Sequence, residues 1–120
     1  MRHLLLLPVL LGLTACGNTL TRTEAINEAA LAVCDYNARC DEIGEGEDKA
    51  YPNRDACMVD QRAFFQNVWG FDACEENINQ EGFDQCLTRI GITQCGNLLD
   101  FANAILNCTE GRVCGGNTEA

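Results

Sequence analysis

Residues 21–40 read TRTEAINEAALAVCDYNARC, and they contain the signals from which the fold is predicted. Thr21 and Glu24 match a capping box, so a helix is predicted to begin there and to run to about Arg39. Apolar residues recur along it at spacings of three and four, interrupted only by Asn37. This stripe predicts one buried helix face, and its members are Ile26, Ala29, Ala30 and Val33.

Further helical segments are predicted downstream, each beginning at a residue suited to cap a helix N-terminus: Asn53, Asp72, Asn79 and Thr93. The second is predicted to end near Gly70 and the one after Asn79 at Gly91. No stretch alternates with a period of two, so the sequence predicts an all-α domain, a small disulfide-rich bundle of four or five short helices. The predicted apolar faces are Cys57, Gln61, Phe64, Phe65 and Val68; Phe83, Cys86, Leu87 and Ile90; and Cys95, Leu98, Leu99, Ala102 and Ile105.

Apart from Cys16, the cysteines number eight, which predicts four disulfides in an exported chain. Eight cysteines allow 105 pairings, among which the sequence does not choose. Six residues of helix would separate the Cα atoms of Cys34 and Cys40 by about 9 Å, beyond the roughly 7 Å that a disulfide tolerates. Cys108 and Cys114 enclose a glycine, so their pairing stays open. The disulfide cysteines are Cys34, Cys40, Cys57, Cys74, Cys86, Cys95, Cys108 and Cys114.

Metal and redox sites are disfavoured by the same cysteine spacing. No two cysteines form a C-x-x-C motif, and the only histidine is His3, so neither a zinc site nor a thioredoxin-like motif is predicted. No cofactor is expected.

The N-terminus has the organisation of an export signal. Arg2 supplies a positive charge, and residues 4–13 form an apolar segment too short to span a membrane. Leu13, Thr14, Ala15 and Cys16 follow, and this sequence resembles the lipobox of bacterial lipoproteins. The mature part resembles small cysteine-rich bacterial lipoproteins, a likeness that brings no known activity with it.

The resemblance to bacterial lipoproteins implies a cellular location for the protein. It implies that Cys16 carries diacylglycerol, that the signal is cut before it and that its new amine is acylated, for example by palmitate. The expected organisation is a signal peptide at 1–15, a lipidated tether at 16–20, a helical domain at 21–114 and a disordered tail at 115–120. Gly17 stands where an Asp favours the inner membrane in enteric lipoproteins, so the resemblance favours the outer membrane.

Two segments are candidate binding sites. The loop at 41–51 contains five carboxylates, but Ile43 and Pro52 occupy positions where an EF-hand loop needs oxygen ligands, so a solvated loop is the main expectation and a weak cation site the alternative. Trp69 and Phe71 belong to an aromatic cluster that is expected in the core, and they become binding residues if they are exposed.

The composition excludes several functions. The chain has no Ser, a single Lys and no His after the expected cleavage site, so the mature chain offers no Ser-His-Asp, Cys-His or Ser-Lys site, and a carboxylate pair is the remaining enzymatic alternative. Loss of Arg2 would leave 7 positive and 18 negative side chains, a net charge of −11 that disfavours nucleic acid and favours a basic envelope protein as partner. The expectation is a non-catalytic, membrane-anchored binding or structural module. The alternative is a small inhibitor or effector presenting the loop at 41–51.

Overall fold

The computed structural model describes residues 20–115 and shows an all-α domain, as predicted. The predicted signal peptide, Cys16 and residues 116–120 lie outside the described residues. The only β-type pairings within residues 20–115 are two isolated bridges, Ile43 with Tyr51 and Ile78 with Cys114. The helices are α1 (Arg22–Arg39), α2 (Arg54–Val68), α3 (Phe71–Cys74), α4 (Gln80–Gly91), α5 (Leu98–Leu106) and α6 (Glu110–Val113).

The helix N-termini follow the predicted capping chemistry in most places. Thr21 accepts a hydrogen bond from the backbone N–H of Glu24, and the Glu24 carboxylate accepts one from the N–H of Thr21, so the capping box is formed. Asn53 caps α2 and Asn79 caps α4 through their side-chain oxygens. These contacts satisfy N–H groups that have no partner within the helix.

The prediction that Thr93 caps the next helix is wrong. Thr93 is buried, and its hydroxyl donates to the backbone oxygen of Arg89, so it completes the last turn of α4. Asn97 caps α5 instead, by accepting from the N–H of Asp100. Gly96, with φ of 75°, lets the chain turn between the two helices.

The two shortest helices also differ from the prediction. Asp72 does not cap the short helix α3, because Gly70 occupies the N-cap position and Asp72 lies in the first turn. The single turn of α6 is not predicted, since four residues give no usable apolar period.

The four disulfides connect elements that are distant in sequence. Cys34 bonds Cys57 between α1 and α2, which agrees with the exclusion of a Cys34–Cys40 bridge. Cys108 and Cys114 do not bond each other, because α6 lies between them and each faces a different partner. The other pairs are Cys40–Cys95, Cys74–Cys114 and Cys86–Cys108.

The core lies where α1, α2 and α4 meet. Phe65, Trp69 and Phe83 form an aromatic series in it, with ring centroids 4.7 Å and 6.0 Å apart along the series. All three are buried, together with the small residues of α1 that allow close helix packing. None of the described helices is long and apolar enough to cross a membrane.

Candidate binding surface

Helix α5 is apolar on two sides, although only one side packs against the domain. On the inner side, Ala104 is buried and Phe101 is half-buried, with its ring stacked on Tyr36 at a centroid distance of 5.2 Å. These contacts attach α5 to α1. A surface helix ordinarily has a polar outer face, so the apolar residues on the outer side of α5 require a separate explanation.

The outer side of α5 exposes leucines. Leu98 is 85% exposed, Leu99 78% and Leu106 61%. At about 100° of rotation per residue, these three and Ala102 fall within about 100° of arc, so they form one continuous face. We call this face, Leu98, Leu99, Ala102 and Leu106, the α5 outer face.

The loop at 41–51 is well organised at its base. The N–H of Ala50 donates to the oxygen of Glu42 at 2.9 Å, and the N–H of Gly44 donates to the oxygen of Tyr51 at 2.9 Å. Lys49 closes the loop, since its ammonium contacts the backbone oxygen of Asp41 at 2.8 Å and its carboxylate at 2.9 Å. The loop is therefore held by its own backbone and by its single lysine.

The tip of this loop is acidic and exposed. Glu45, Glu47 and Asp48 all lie at the surface, and Gly44 and Gly46 have positive φ. The hydrogen bond with Asp41 raises the pKa of Lys49, and the charge of Asp48 acts in the same direction. We call Glu45, Glu47 and Asp48 the acidic tip.

Tyr51 connects the end of the loop to α2. Its hydroxyl donates to the Asp60 carboxylate and accepts a hydrogen bond from the Gln61 amide at 2.9 Å. Partial burial, reinforced by the hydrogen bond to Asp60, raises the pKa of Tyr51 above the ordinary value of 10.0. Gln61, predicted on the apolar face of α2, thus has a polar partner.

The Cys40–Cys95 disulfide brings the loop and α5 to the same end of the molecule. Its Cα atoms are 5.4 Å apart, with Asp41 next to one cysteine and α5 beginning three residues beyond the other. Arg39 adds a hydrogen bond to the backbone oxygen of Thr93 at 3.1 Å. The α5 outer face therefore begins beside the base of the acidic loop.

The two aromatic residues predicted as candidate binding residues have different environments. Trp69 is fully buried, and its indole N–H donates to the backbone oxygen of Cys108 at 2.7 Å, so it is a core residue in this structure. Phe71 is 62% exposed, and the Arg22 guanidinium lies 5.7 Å from the centre of its ring. Only Phe71 of the pair is accessible to a partner.

The outer side of α4 lines an open depression of about 590 Å³. Its carboxylates, Glu81 and Asp84, are exposed, and Asp84 accepts a hydrogen bond from the Gln80 amide at 2.9 Å. Arg89 and Asn107 complete the rim. Within residues 20–115, no group of three or more His, Cys, Asp or Glu side chains is arranged to hold a metal ion.

The sequence pattern predicts Leu98 and Leu99 on a buried face, and the structure exposes both of them. The error concerns which side of the helix is buried: α5 packs against the domain through Phe101 and Ala104, so most of the predicted face points outward. Apolar residues on both sides of so short a helix were the available signal. Ile92, at the end of α4, is 59% exposed, and no sequence pattern predicts its exposure.

Comparison with known proteins gives one match. A model described as a family of unknown function (DUF6184) matches residues 34–116, a range that contains all eight paired cysteines. No curated protein matches the chain. No solved structure matches it either.

Proposed function

We propose that this chain, which belongs to the family of unknown function DUF6184, is a lipid-anchored, non-catalytic binding module of the bacterial cell envelope. The single observation that carries the proposal is a domain with eight paired cysteines that follows a sequence resembling a lipobox. Disulfides persist outside the cytoplasm, where a lipoprotein signal would deliver the chain. Cys16 stands only four residues before Leu20, where the described domain begins.

The chemistry of the side chains supports binding over catalysis. The sequence has no Ser, and its only His precedes the expected cleavage site. The two carboxylates in the depression on α4 are exposed to solvent, whereas acid–base catalysis by paired carboxylates uses a shielded site to separate their pKa values. The exposed leucines of α5 are instead of the kind found at protein interaction sites.

Mass spectrometry of the protein extracted from its own membrane tests the lipid anchor. The expected mature chain begins at an acylated Cys16 and contains eight cysteines that resist alkylation until they are reduced. A Cys16→Ala variant should keep its signal peptide or appear without lipid, and it provides the matched control. An unmodified Cys16 in the wild-type chain would overturn the proposal.

The expected location is the outer membrane. Because Gly17 follows the expected lipidated cysteine, fractionation should recover the wild-type chain with outer-membrane markers. A Gly17→Asp variant should move to the inner-membrane fraction if the enteric sorting pattern applies, and Gly17→Asn serves as the uncharged control. Equal recovery of all three chains in the inner membrane would contradict the assignment.

A second candidate function, a small inhibitor or effector that presents the loop at 41–51, is favoured by the contacts that organise this loop. Inhibitory loops resist cleavage because their backbone is held, and here the Lys49–Asp41 contact and four backbone hydrogen bonds within the loop hold it. A glutamate-specific protease should then spare Glu45 and Glu47 in the wild-type chain and cut there in a Lys49→Ala variant. Rapid cleavage of the wild-type loop at these positions would count against this candidate.

A further inference from the structure

We propose that the α5 outer face and the acidic tip together form the docking surface for a basic amphipathic helix of a partner protein. The inference rests on the proposed binding function. It adds the binding surface and the chemistry of the partner, which the proposed function does not specify. Its structural basis is the Cys40–Cys95 bridge, which joins the residue before the acidic loop to the segment that leads into α5.

The apolar part of the surface has no partner among the described residues. Leu98 and Leu99 are more exposed than any other large apolar side chain in residues 20–115, and Leu106 continues the same face two turns later. Contiguous apolar patches with polar rims mark interaction sites on soluble domains. The face is convex because it lies on a single helix, so the occupant that fits it is another helix packed across α5.

The charged part of the surface determines the sign of the charge that a partner should carry. Glu45, Glu47 and Asp48 are exposed, and the one cation of their loop, Lys49, makes its ion pair with Asp41, so the loop as a whole carries an excess of negative charge. Asp100, the only charged residue within α5, accepts a hydrogen bond from the N–H of Gln94 at 2.7 Å and has Arg89 at 3.9 Å. A partner helix with lysines or arginines beside its apolar stripe complements this arrangement.

A second copy of the chain is a poorer occupant. The formal net charge of the chain is −10, so pairing two copies brings together two acidic molecules that repel each other. A basic partner protein, in contrast, is attracted by the negative charges of the chain.

The lipid bilayer is also a poorer occupant, because α5 begins far from the membrane tether. The tether enters at Leu20, before α1, whereas the Cys40–Cys95 bridge joins the start of α5 to the other end of α1. The 18 residues of α1 span about 27 Å between these ends. Leu98 and Leu99 therefore lie at the end of the domain farther from the anchor.

Titration of the full chain with a labelled helical peptide tests the surface. The probe is a peptide of leucine and lysine with leucines at helical spacing, and a leucine–glutamate peptide of the same pattern is its control. Fluorescence anisotropy with the chain in phosphatidylethanolamine nanodiscs should show saturable binding of the lysine peptide and none of the glutamate peptide. Equal binding of both peptides, or of neither, would overturn the proposal.

Substitution of the leucines assigns the binding to α5. A Leu98→Gln, Leu99→Gln variant should weaken binding of the lysine peptide by about tenfold or more, because truncation of central apolar contacts has effects of that size. Both side chains are exposed, so the fold should be unaffected, which circular dichroism checks. Val59→Gln on α2, where the side chain is also exposed, is the matched control and should bind as the wild type does.

Neutralisation of the acidic tip tests the charge argument. A triple variant with Glu45→Gln, Glu47→Gln and Asp48→Asn should bind the lysine peptide more weakly and with a smaller dependence on salt. A control triple variant changes the net charge equally elsewhere, at Glu28→Gln, Asp55→Asn and Asp72→Asn. If the two triple variants lose affinity equally, the acidic tip has no specific role.

Two further measurements separate the alternative occupants and the proposed function. Concentration-dependent dimerisation that the leucine substitutions abolish would show that a second copy occupies the face. Leucine-dependent binding of the Cys16→Ala chain to phosphatidylethanolamine vesicles would show that the bilayer does, and either result overturns the proposal. If Cys16 proves unmodified, the peptide titration is run on the chain in buffer, so failure of the lipid anchor is distinguishable from failure of the docking surface.

Discussion

Trp69 is the residue whose replacement most directly tests the core. It is fully buried between Phe65 and Phe83, and its indole N–H satisfies the carbonyl of Cys108. Trp69→Phe should lower the free energy of unfolding by about 1–3 kcal/mol, because the carbonyl loses its partner inside the core. Urea denaturation followed by circular dichroism measures this change.

The control for this substitution is Phe71→Leu, which alters an exposed aromatic residue close by in the sequence. Its effect should stay within about 0.5 kcal/mol, as is usual for surface positions. Equal stability of the Trp69→Phe variant and the wild type would contradict the buried hydrogen bond.

Gly82 is the second residue whose replacement tests the fold. A Cβ atom there would lie 1.8 Å from the backbone oxygen of Arg112, so α4 and α6 approach each other through this glycine. Gly82→Ala should destabilise the domain by about 3 kcal/mol, since a backbone contact cannot move aside cheaply.

Gly91, at the end of α4, is the matched control, because a Cβ atom added there would have no other atom within 4 Å. Gly91→Ala should leave stability unchanged or raise it by up to about 1 kcal/mol, the helix-propensity difference between these residues. Thermal unfolding of both variants, compared with the wild type, checks the pair. Similar melting temperatures for both would argue against the close contact of α4 with α6.

At the scale of elements, Tyr51 links the acidic loop to α2 and makes that link sensitive to pH. The folded state raises the pKa of Tyr51, so its neutral form stabilises the fold fully below pH values near 10 and less as pH rises through the folded pKa. The free energy of unfolding should therefore fall at alkaline pH more steeply in the wild type than in Tyr51→Phe. Denaturation at several pH values measures this slope.

Absorbance titration of tyrosinate identifies the residue responsible. The component that titrates above the ordinary tyrosine range should disappear in Tyr51→Phe and persist in Tyr36→Phe, which leaves Tyr51 intact. Persistence of that component in the Tyr51→Phe chain would assign it elsewhere.

At the scale of the whole molecule, the disulfides substitute for a large core. The Cys40–Cys95 bridge closes a sequence separation of 55 residues, the longest of the four. Replacement of both cysteines by alanine should lower the free energy of unfolding by about 2–4 kcal/mol, chiefly because the unfolded chain becomes less restricted. It should also weaken binding of the lysine peptide, because α5 and the acidic tip lose their covalent connection.

Chemical denaturation of this double variant and the peptide titration measure the two effects. Mass spectrometry under non-reducing conditions must first show that the other six cysteines are still paired. A variant with intact peptide binding and unchanged stability would show that non-covalent contacts, such as the hydrogen bonds from Arg39 and the stacking of Tyr36 on Phe101, hold the two elements together.

Much of the helical architecture could be predicted from local sequence. The capping box at Thr21, the caps at Asn53 and Asn79, and the end of α4 at Gly91 are all visible because each depends on residues within one helical turn. The start of α5 could not be predicted in this way, since Thr93 has the side chain of a cap and its burial against α4 cannot be read locally.

The sequence by itself determined the helix class, the cysteine count and the exclusion of a Cys34–Cys40 bridge, because each follows from local geometry or composition. Only the tertiary structure decided which of the 105 pairings forms, because a disulfide needs Cα atoms within about 7 Å and packing alone brings distant segments that close. It also decided that Leu98 and Leu99 face outward, because the outer side of α5 is defined by where α1 and α4 pack against it. The candidate binding surface depends on the disulfide pairing and on the outward orientation of these leucines, so the sequence alone could not predict it.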